Sequence, residues 1–207
     1  MIRIKGTEMA KRAEEKMATR RRIVDAAAKR FLADGLEGAT IAKVLGDVGL
    51  THGTFYAHFR SKEALLAEAF VTAAAETSER WIRGISGLAT NQGIGVLLAR
   101  GLGSAHFKHP EAGCPFVAAG AEVWRHDSEL RATYEESMLS VASRVAGSLG
   151  DEDDLERALA IHAICIGGMT MARSVADEEV ALKVLRACRQ FVLKHLPPRD
   201  TVEETQQ

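Results

Sequence analysis

The chain has 207 residues, 46% of them hydrophobic and 27% charged, with only four prolines; that is ample for a packed helical core and excludes general disorder. Three cysteines, Cys114, Cys165 and Cys188, are too few and too scattered for a disulfide framework and fit a reducing cytoplasm. The net charge of −1 hides a division: residues 1–62 hold thirteen Lys or Arg against seven Asp or Glu, a net +6, and the remainder carries −7, so a basic front end suited to nucleic acid precedes an acidic part with another task.

Residues 1–18 read as a flexible basic arm carrying Arg3, Lys5, Lys11, Arg12 and Lys16, with no apolar stretch of the secretory type behind it. A first helix is predicted over residues 19–34, with Ile23, Ala27 and Phe31 on one face and Gly35 as its stop. Then comes the run TIAKVLGDVGLTHGTFYAHFRSK, residues 40–62. Thr40 can cap a helix whose apolar positions Ile41, Val44, Leu45 and Val48 fall at helical spacing. Gly49 supplies the left-handed end of that helix, and Thr51 caps the next at once. Two short helices joined so tightly describe a helix-turn-helix. The second would bury Phe55 and Phe59 and present His52, Gly53, Thr54 and Tyr56, a set suited to phosphates and base edges rather than to a core. Ser61 caps a fourth helix, with Glu63 in its first turn, running to about residue 83.

This stretch, GLTHGTFYAHFRSKEALL, resembles the signature of TetR-family transcriptional regulators, in which a Gly, a Ser or Thr, a Lys, a Gly-Thr and an aromatic-Tyr pair precede His-Phe and Ser-Lys-Glu. The likeness is dense from Ala26 to Leu66, from AAAKRF through ATIAKV to SKEALL, roughly the first third of the chain. Two departures stand out. His52 replaces the usual Lys and removes a fixed charge, and Leu45 replaces a small Ala beside Gly46. The resemblance implies an all-α fold: an N-terminal three-helix helix-turn-helix DNA-binding domain over residues 19–62, and a C-terminal helical ligand-binding and dimerisation domain over residues 63–207. It implies a homodimer that sets two recognition helices in successive major grooves of a palindromic operator. Thr54 and Tyr56 would touch bases or phosphates directly, His52 would donate to an acceptor, and Gly53 would allow close backbone approach. Thr40, Thr51, His58 and Lys62 complete the expected contacts, Lys62 from a helix N-terminus. The Arg20–Arg21–Arg22 run can touch phosphate or the minor groove or form the solvated face of the first helix; partial involvement of this run and of the arm, through salt-sensitive attraction to DNA, is expected.

Beyond the fourth helix, further helices are predicted over about residues 94–107, 115–125, 128–149, 155–175 and 178–196, with Pro197-Pro198 and a polar tail after them. The apolar run over residues 158–172 is broken by His162 and a Gly pair and reads as too short and polar to span a bilayer. The last two helices have apolar faces fit for a dimer bundle, or for filling the protomer's own core. An effector pocket lined by Trp81, Phe107, Phe116, Trp124, Tyr134, Met138 and Met169 would take an apolar or aromatic small molecule; the same residues at helical spacing also suit plain core. His106, His109 and the Gly113-Cys114-Pro115-Phe116 turn form a sharper constellation, similar to a subset of the family in which a cysteine begins this helix and, in some members, senses electrophiles. A thiolate there would gain from the helix dipole; the bland alternative is a small buried residue packing a turn. A metal site from His106, His109 and Cys114 lacks a fourth ligand, so neither metal nor cofactor is expected.

The leading expectation is therefore a sequence-specific DNA-binding repressor, cytoplasmic, released by a small apolar or electrophilic effector. The alternatives are an all-helical small-molecule carrier or enzyme with a vestigial helix-turn-helix, and an interaction protein. No phosphate loop, nucleophile elbow or zinc-protease helix supports an enzyme.

Overall fold

The computed structural model describes residues 2–150 and 154–196, with side chains from residue 8 onward, and no strand occurs among the described residues. In chain order the helices are α1 (Ile2–Gly38), α2 (Ile41–Val48), α3 (His52–Tyr56), α4 (Lys62–Ile82), α5 (Thr90–Gly101), α6 (Ser104–Lys108), α7 (Pro115–Ala119), α8 (Ser128–Ser148), α9 (Leu155–Ser174) and α10 (Glu178–His195), with short 3-10 turns at Pro110–Ala112 and Val123–Arg125. The expected polar tail and residues 151–153 lie outside the described residues.

The chain divides into two compact units. The first joins residues up to 77 with residues 110–138, and the second joins 78–109 with 139 onward. A single cut at residue 62, expected from the sequence, therefore misses the return of residues 110–138 to the first unit. That return has a physical cause. Phe31 of α1 and Phe70 of α4 are fully buried, and they continue into an aromatic cluster with Phe116, edge-on to Phe70 at 5.1 Å, and Tyr134, edge-on to Phe116 at 5.2 Å. Three short helices could not bury Phe70 alone; the later segment supplies its cover.

Residues 2–18, expected as an arm, continue α1. The described side chains from 8 to 18 are all exposed, so intrinsic preference sustains this part: Ala, Met, Lys, Arg and Glu are strong helix formers, and Arg12 meets Glu8 one turn earlier at 3.3 Å. At the other end Gly35 takes φ 78° and kinks the chain. The space a Cβ would fill there lies 2.5 Å from Oε1 of Glu122, whose other oxygen accepts the Glu37 N–H at 3.0 Å.

In the second unit α9 packs on α10, and α5 and α6 pack against them. Its core holds Leu98, Leu102, Ile161, Cys165, Met169, Leu185 and Val192. The fifth predicted helix is two, α5 and α6, because the backbone becomes extended at Gly103 before α6. Similarly the sixth is α7 followed by a 3-10 turn. Contrary to the sequence expectation, Leu155–Ser174 is long and apolar enough to cross a membrane by length and composition alone, its most apolar 18-residue stretch having a mean hydropathy of 1.2. Its buried Ala158, Ile161, Cys165, Met169 and Ala172 are also what a core helix of a globular unit presents.

Candidate nucleic-acid interface

The helix-turn-helix forms by caps and core contacts that can be followed residue by residue. The Thr40 hydroxyl accepts the Lys43 N–H at 3.4 Å and opens α2, whose Val44 and Leu45 are buried. Gly49 closes it in the left-handed region, φ 67°, and the Leu50 N–H returns to the Leu45 carbonyl at 3.0 Å. Thr51 precedes α3 without capping it. Its hydroxyl lies 3.3 Å from that of Thr54, so these two expected contact residues hold each other. Phe55 is fully buried and stacks on Phe59 at 5.7 Å, which anchors the inner face of α3. The outer face carries His52, Gly53 and Tyr56, all exposed. Tyr56 is 66% exposed, with its ring edge-on to Phe55 and tilted toward His52. A large aromatic held outward by its buried neighbour is what a base or sugar-phosphate contact requires.

Arginines fix this arrangement from behind. Arg20 donates to both carboxylate oxygens of Glu68 and to the His58 carbonyl, while its guanidinium lies 4.1 Å over the Phe59 ring. One side chain thus ties α1 to α4 and to the turn after α3, so Arg20 acts as a clasp within the unit. Arg22 donates to the Val48 carbonyl at 2.8 Å, at the C-terminal end of α2 where a cation complements the dipole. Arg30 forms a two-pronged pair with Asp47, both bonds 2.6 Å. The hydrogen bonds of that pair hold the Asp47 carboxyl below, and the Arg30 guanidinium above, their ordinary ranges. Arg21 borders a shallow surface groove of about 330 Å³ between α1 and α4 with Met17, Asp25, Thr72 and Glu76.

His58 and Lys62 are less simple than expected. The His58 Nδ1 is buried without a hydrogen-bond partner among the described residues. Burial, and then the nearby Lys16 and Arg20 charges, push its pKa down, so it serves as a neutral ring rather than a cation. Lys62 begins α4 beside the Ser61 cap, whose hydroxyl accepts the Ala64 N–H at 3.1 Å, and its ammonium lies 3.8 Å from Glu37. Arg60, absent from the expected set, is a third polar side chain of this turn and pairs with Glu129. Its place between His58 and Lys62 was the signal available in the sequence.

The residues expected to line one effector pocket are divided between the two units. Trp81, His106, Phe107 and Met169 belong to the second unit, and Cys114, Phe116, Trp124 and Met138 to the first. Phe116 is core, as described above. Trp124 is 62% exposed, with Arg125 stacked on its ring and its indole N–H given to the Ala121 carbonyl at 3.1 Å. Met169 is fully buried, whereas Phe107 and Met138 are half-buried. His106 accepts Trp81 edge-on at 5.3 Å, and its Nδ1 lies 2.7 Å from the Gly101 carbonyl. Burial, with the Arg173 and Arg80 charges, pushes its pKa down to about 4. Cys114 is 2% exposed at the start of α7. Burial first, and then the Cys114 charge, raise the pKa of Tyr134. Such a covered thiol has the surroundings of a structural cysteine rather than of a reactive one. Among the described residues no group of three or more His, Cys, Asp or Glu is disposed to hold a metal ion.

A capped helix, a glycine turn, a second helix with an exposed Tyr–His face and two flanking helices make this a helix-turn-helix protein whose reading unit is completed by a later part of the chain. Residues 23–69 match the family model described as bacterial regulatory proteins, tetR family. The HTH-type transcriptional repressor Rv1474c of Mycobacterium tuberculosis is 35% identical over 91 residues, 43% of this chain and 44% of that protein. The chain aligns with only 26% to 44% of the length of the curated relatives it matches. Among solved structures, the reduced form of NemR from E. coli superposes with a TM-score of 0.68 at 18% identity, covering 84% of this chain and 95% of that one. A cysteine mutant of the TetR-family regulator CifR, complexed with 26-bp double-strand operator DNA, gives 0.58 at 22% identity, covering 81% and 93%. Residues 23–69 are thus similar to the DNA-binding part of tetR-family regulators, and the chain shares its fold with solved members of that family.

Proposed function

We propose that this chain is a homodimeric, sequence-specific DNA-binding repressor that leaves its operator when a small apolar molecule binds its helical C-terminal part. The exposed Tyr56–His52 face of α3, backed by fully buried Phe55 and clasped through Arg20, carries the reading. An enzyme or carrier with a vestigial motif has no use for a large aromatic held outward at that position. The operator complex of CifR and the name of the mycobacterial relative support DNA binding and repression. Exposed Met171 on α9 and Val180, Phe191 and Leu193 on α10 support pairing of two copies through these helices. An effector would act only through a difference in its affinity for the DNA-bound and free states.

The test is retention of duplex DNA from the region upstream of the chain's own gene, against excess bulk DNA, over a range of salt. Selective, salt-dependent retention is expected. Tyr56→Ala should weaken it at least several-fold while leaving the helical content intact; a wild-type protein that selects no DNA over bulk competitor refutes the reading. An electrophilic effector acting at Cys114 is the second form of the proposal, and the burial of that thiol weighs against it. It predicts release of DNA by a thiol-reactive electrophile in the wild type but not in Cys114→Ser, and the apolar form predicts no release in either.

A further inference from the structure

The turn between α3 and α4 offers two lasting cations, Arg60 and Lys62, and each is already met by a carboxylate of the same unit. Arg60 is paired with Glu129, from the first turn of α8. Lys62 faces Glu37 at 3.8 Å, and the other oxygen of that carboxylate lies 3.4 Å from Nε2 of His126. The Glu37 backbone N–H is in turn held by Glu122. Three side chains within residues 122–129 therefore converge on the end of α1 and the start of α4. The Arg60–Glu129 pair is exposed on both sides, 70% and 58%, so it gives the fold little, and a phosphate can displace the carboxylate. The Arg30–Asp47 and Arg20–Glu68 pairs differ from it: each is two-pronged, and each ties one helix of the reading unit to another.

We propose that Arg60 is a DNA phosphate contact and that Glu129 is its intramolecular competitor, a charge latch that sets the basal DNA affinity of the protein, with Glu37 acting in the same way on Lys62. The inference rests on the DNA-binding reading above and adds to it a residue and a tuning element. Binding exchanges the Arg60–Glu129 pair for an Arg60–phosphate pair, so the carboxylate opposes binding by about the worth of one exposed ion pair. Removing its charge should tighten binding about two- to fivefold per protomer, or about four- to twenty-fivefold for the dimer. Arg60 itself, as one phosphate contact in each protomer, should account for about 0.9 of the slope of log affinity against log salt per protomer, or about 1.8 for the dimer.

The experiment measures binding to random-sequence duplex DNA at several sodium chloride concentrations for the full chain and for Glu129→Gln, Arg60→Gln, the double variant, and Glu135→Gln. The last removes an equal charge from an exposed site elsewhere on α8. Glu129→Gln is expected to bind the duplex about four- to twenty-fivefold more tightly as a dimer, and Glu135→Gln much less so; Arg60→Gln is expected to lose about 1.8 of slope, and the double variant to show no gain over Arg60→Gln. A gain that persists without Arg60, or is matched by Glu135→Gln, is diffuse charge and overturns the latch. An Arg60→Gln slope equal to the wild type overturns the phosphate contact. Wild-type protein with intact helices that holds no duplex at low salt overturns the DNA-binding reading itself, and that outcome differs from the others because they occur on a protein that binds.

Discussion

His162 offers a severe test of the second unit. It sits 8% exposed in the middle of α9, and burial pushes its pKa from the ordinary 6.5 down to about 4. The unfolded chain takes up a proton near 6.5 and the folded one only near 4, so the stabilising difference is complete above pH about 6.5 and is lost as pH falls toward 4. The whole shift is worth about 3 kcal/mol, and between pH about 7.5 and pH about 5 the loss amounts to about 2 kcal/mol. His106, equally buried in the same unit and held down to about 4, contributes a loss of similar size. The wild type should thus become less stable by about 4 kcal/mol between those pH values, and His162→Leu by about half as much. The two tryptophans allow the unit to be watched by itself: Trp81 belongs to the second unit and Trp124 to the first, so a Trp124→Phe background makes fluorescence report the second. Urea midpoints of that background with and without His162→Leu, at both pH values, give the comparison. A wild-type midpoint that does not move over this range refutes the reasoning, and so does a His162→Leu protein with the full wild-type pH dependence.

Two further outcomes follow from single contacts. Arg20→Lys retains the charge but loses the two-pronged bond to Glu68, the bond to the His58 carbonyl and the flat contact on Phe59; a loss of about 1–2 kcal/mol in thermal or denaturant unfolding is expected, and an unchanged midpoint would remove Arg20 from its role as a clasp. Gly168→Ala places a methyl 2.8 Å from the Cys188 sulfur and 3.2 Å from Leu102, so α9 and α10 must separate slightly. Such overpacking is expected to cost about 1–3 kcal/mol, partly recovered by adding Cys188→Ala; recovery of nothing would place the strain elsewhere.

Most helix boundaries were legible because they are written in local chemistry. Thr40, Ser61 and Gly49 act within four residues of themselves, and their caps appear as the sequence predicts. The exposed face of α3 was legible for a related reason: burial of Phe55 and Phe59 at helical spacing leaves Tyr56 outside. What escaped depends on partners far along the chain. Nothing near Arg20 announces Glu68, and nothing near Arg30 announces Asp47, so fixed structural arginines resembled solvated ones. Helical spacing marks Phe116 and Trp124 alike as large and apolar, yet one meets Phe70 and the other faces outward, a distinction made only by what lies across from each. The N-terminal extension of α1 escaped because its described side chains, residues 8–18, are all exposed; its helix comes from composition, whereas periodicity reports burial.

The carboxylate that stands where Gly35 lacks a Cβ has a bearing on how the protein is made. Glu122 reaches the Glu37 N–H across 85 positions of sequence, and Phe116 and Tyr134 close over Phe70 from the same stretch. On a ribosome the reading helices therefore emerge well before the residues that finish their unit, and must wait, with Phe70 uncovered, while the intervening chain is synthesised. A fragment ending at residue 77 reproduces that waiting state permanently. It should be sticky and poorly folded, and adding residues 110–138 as a separate peptide should rescue it.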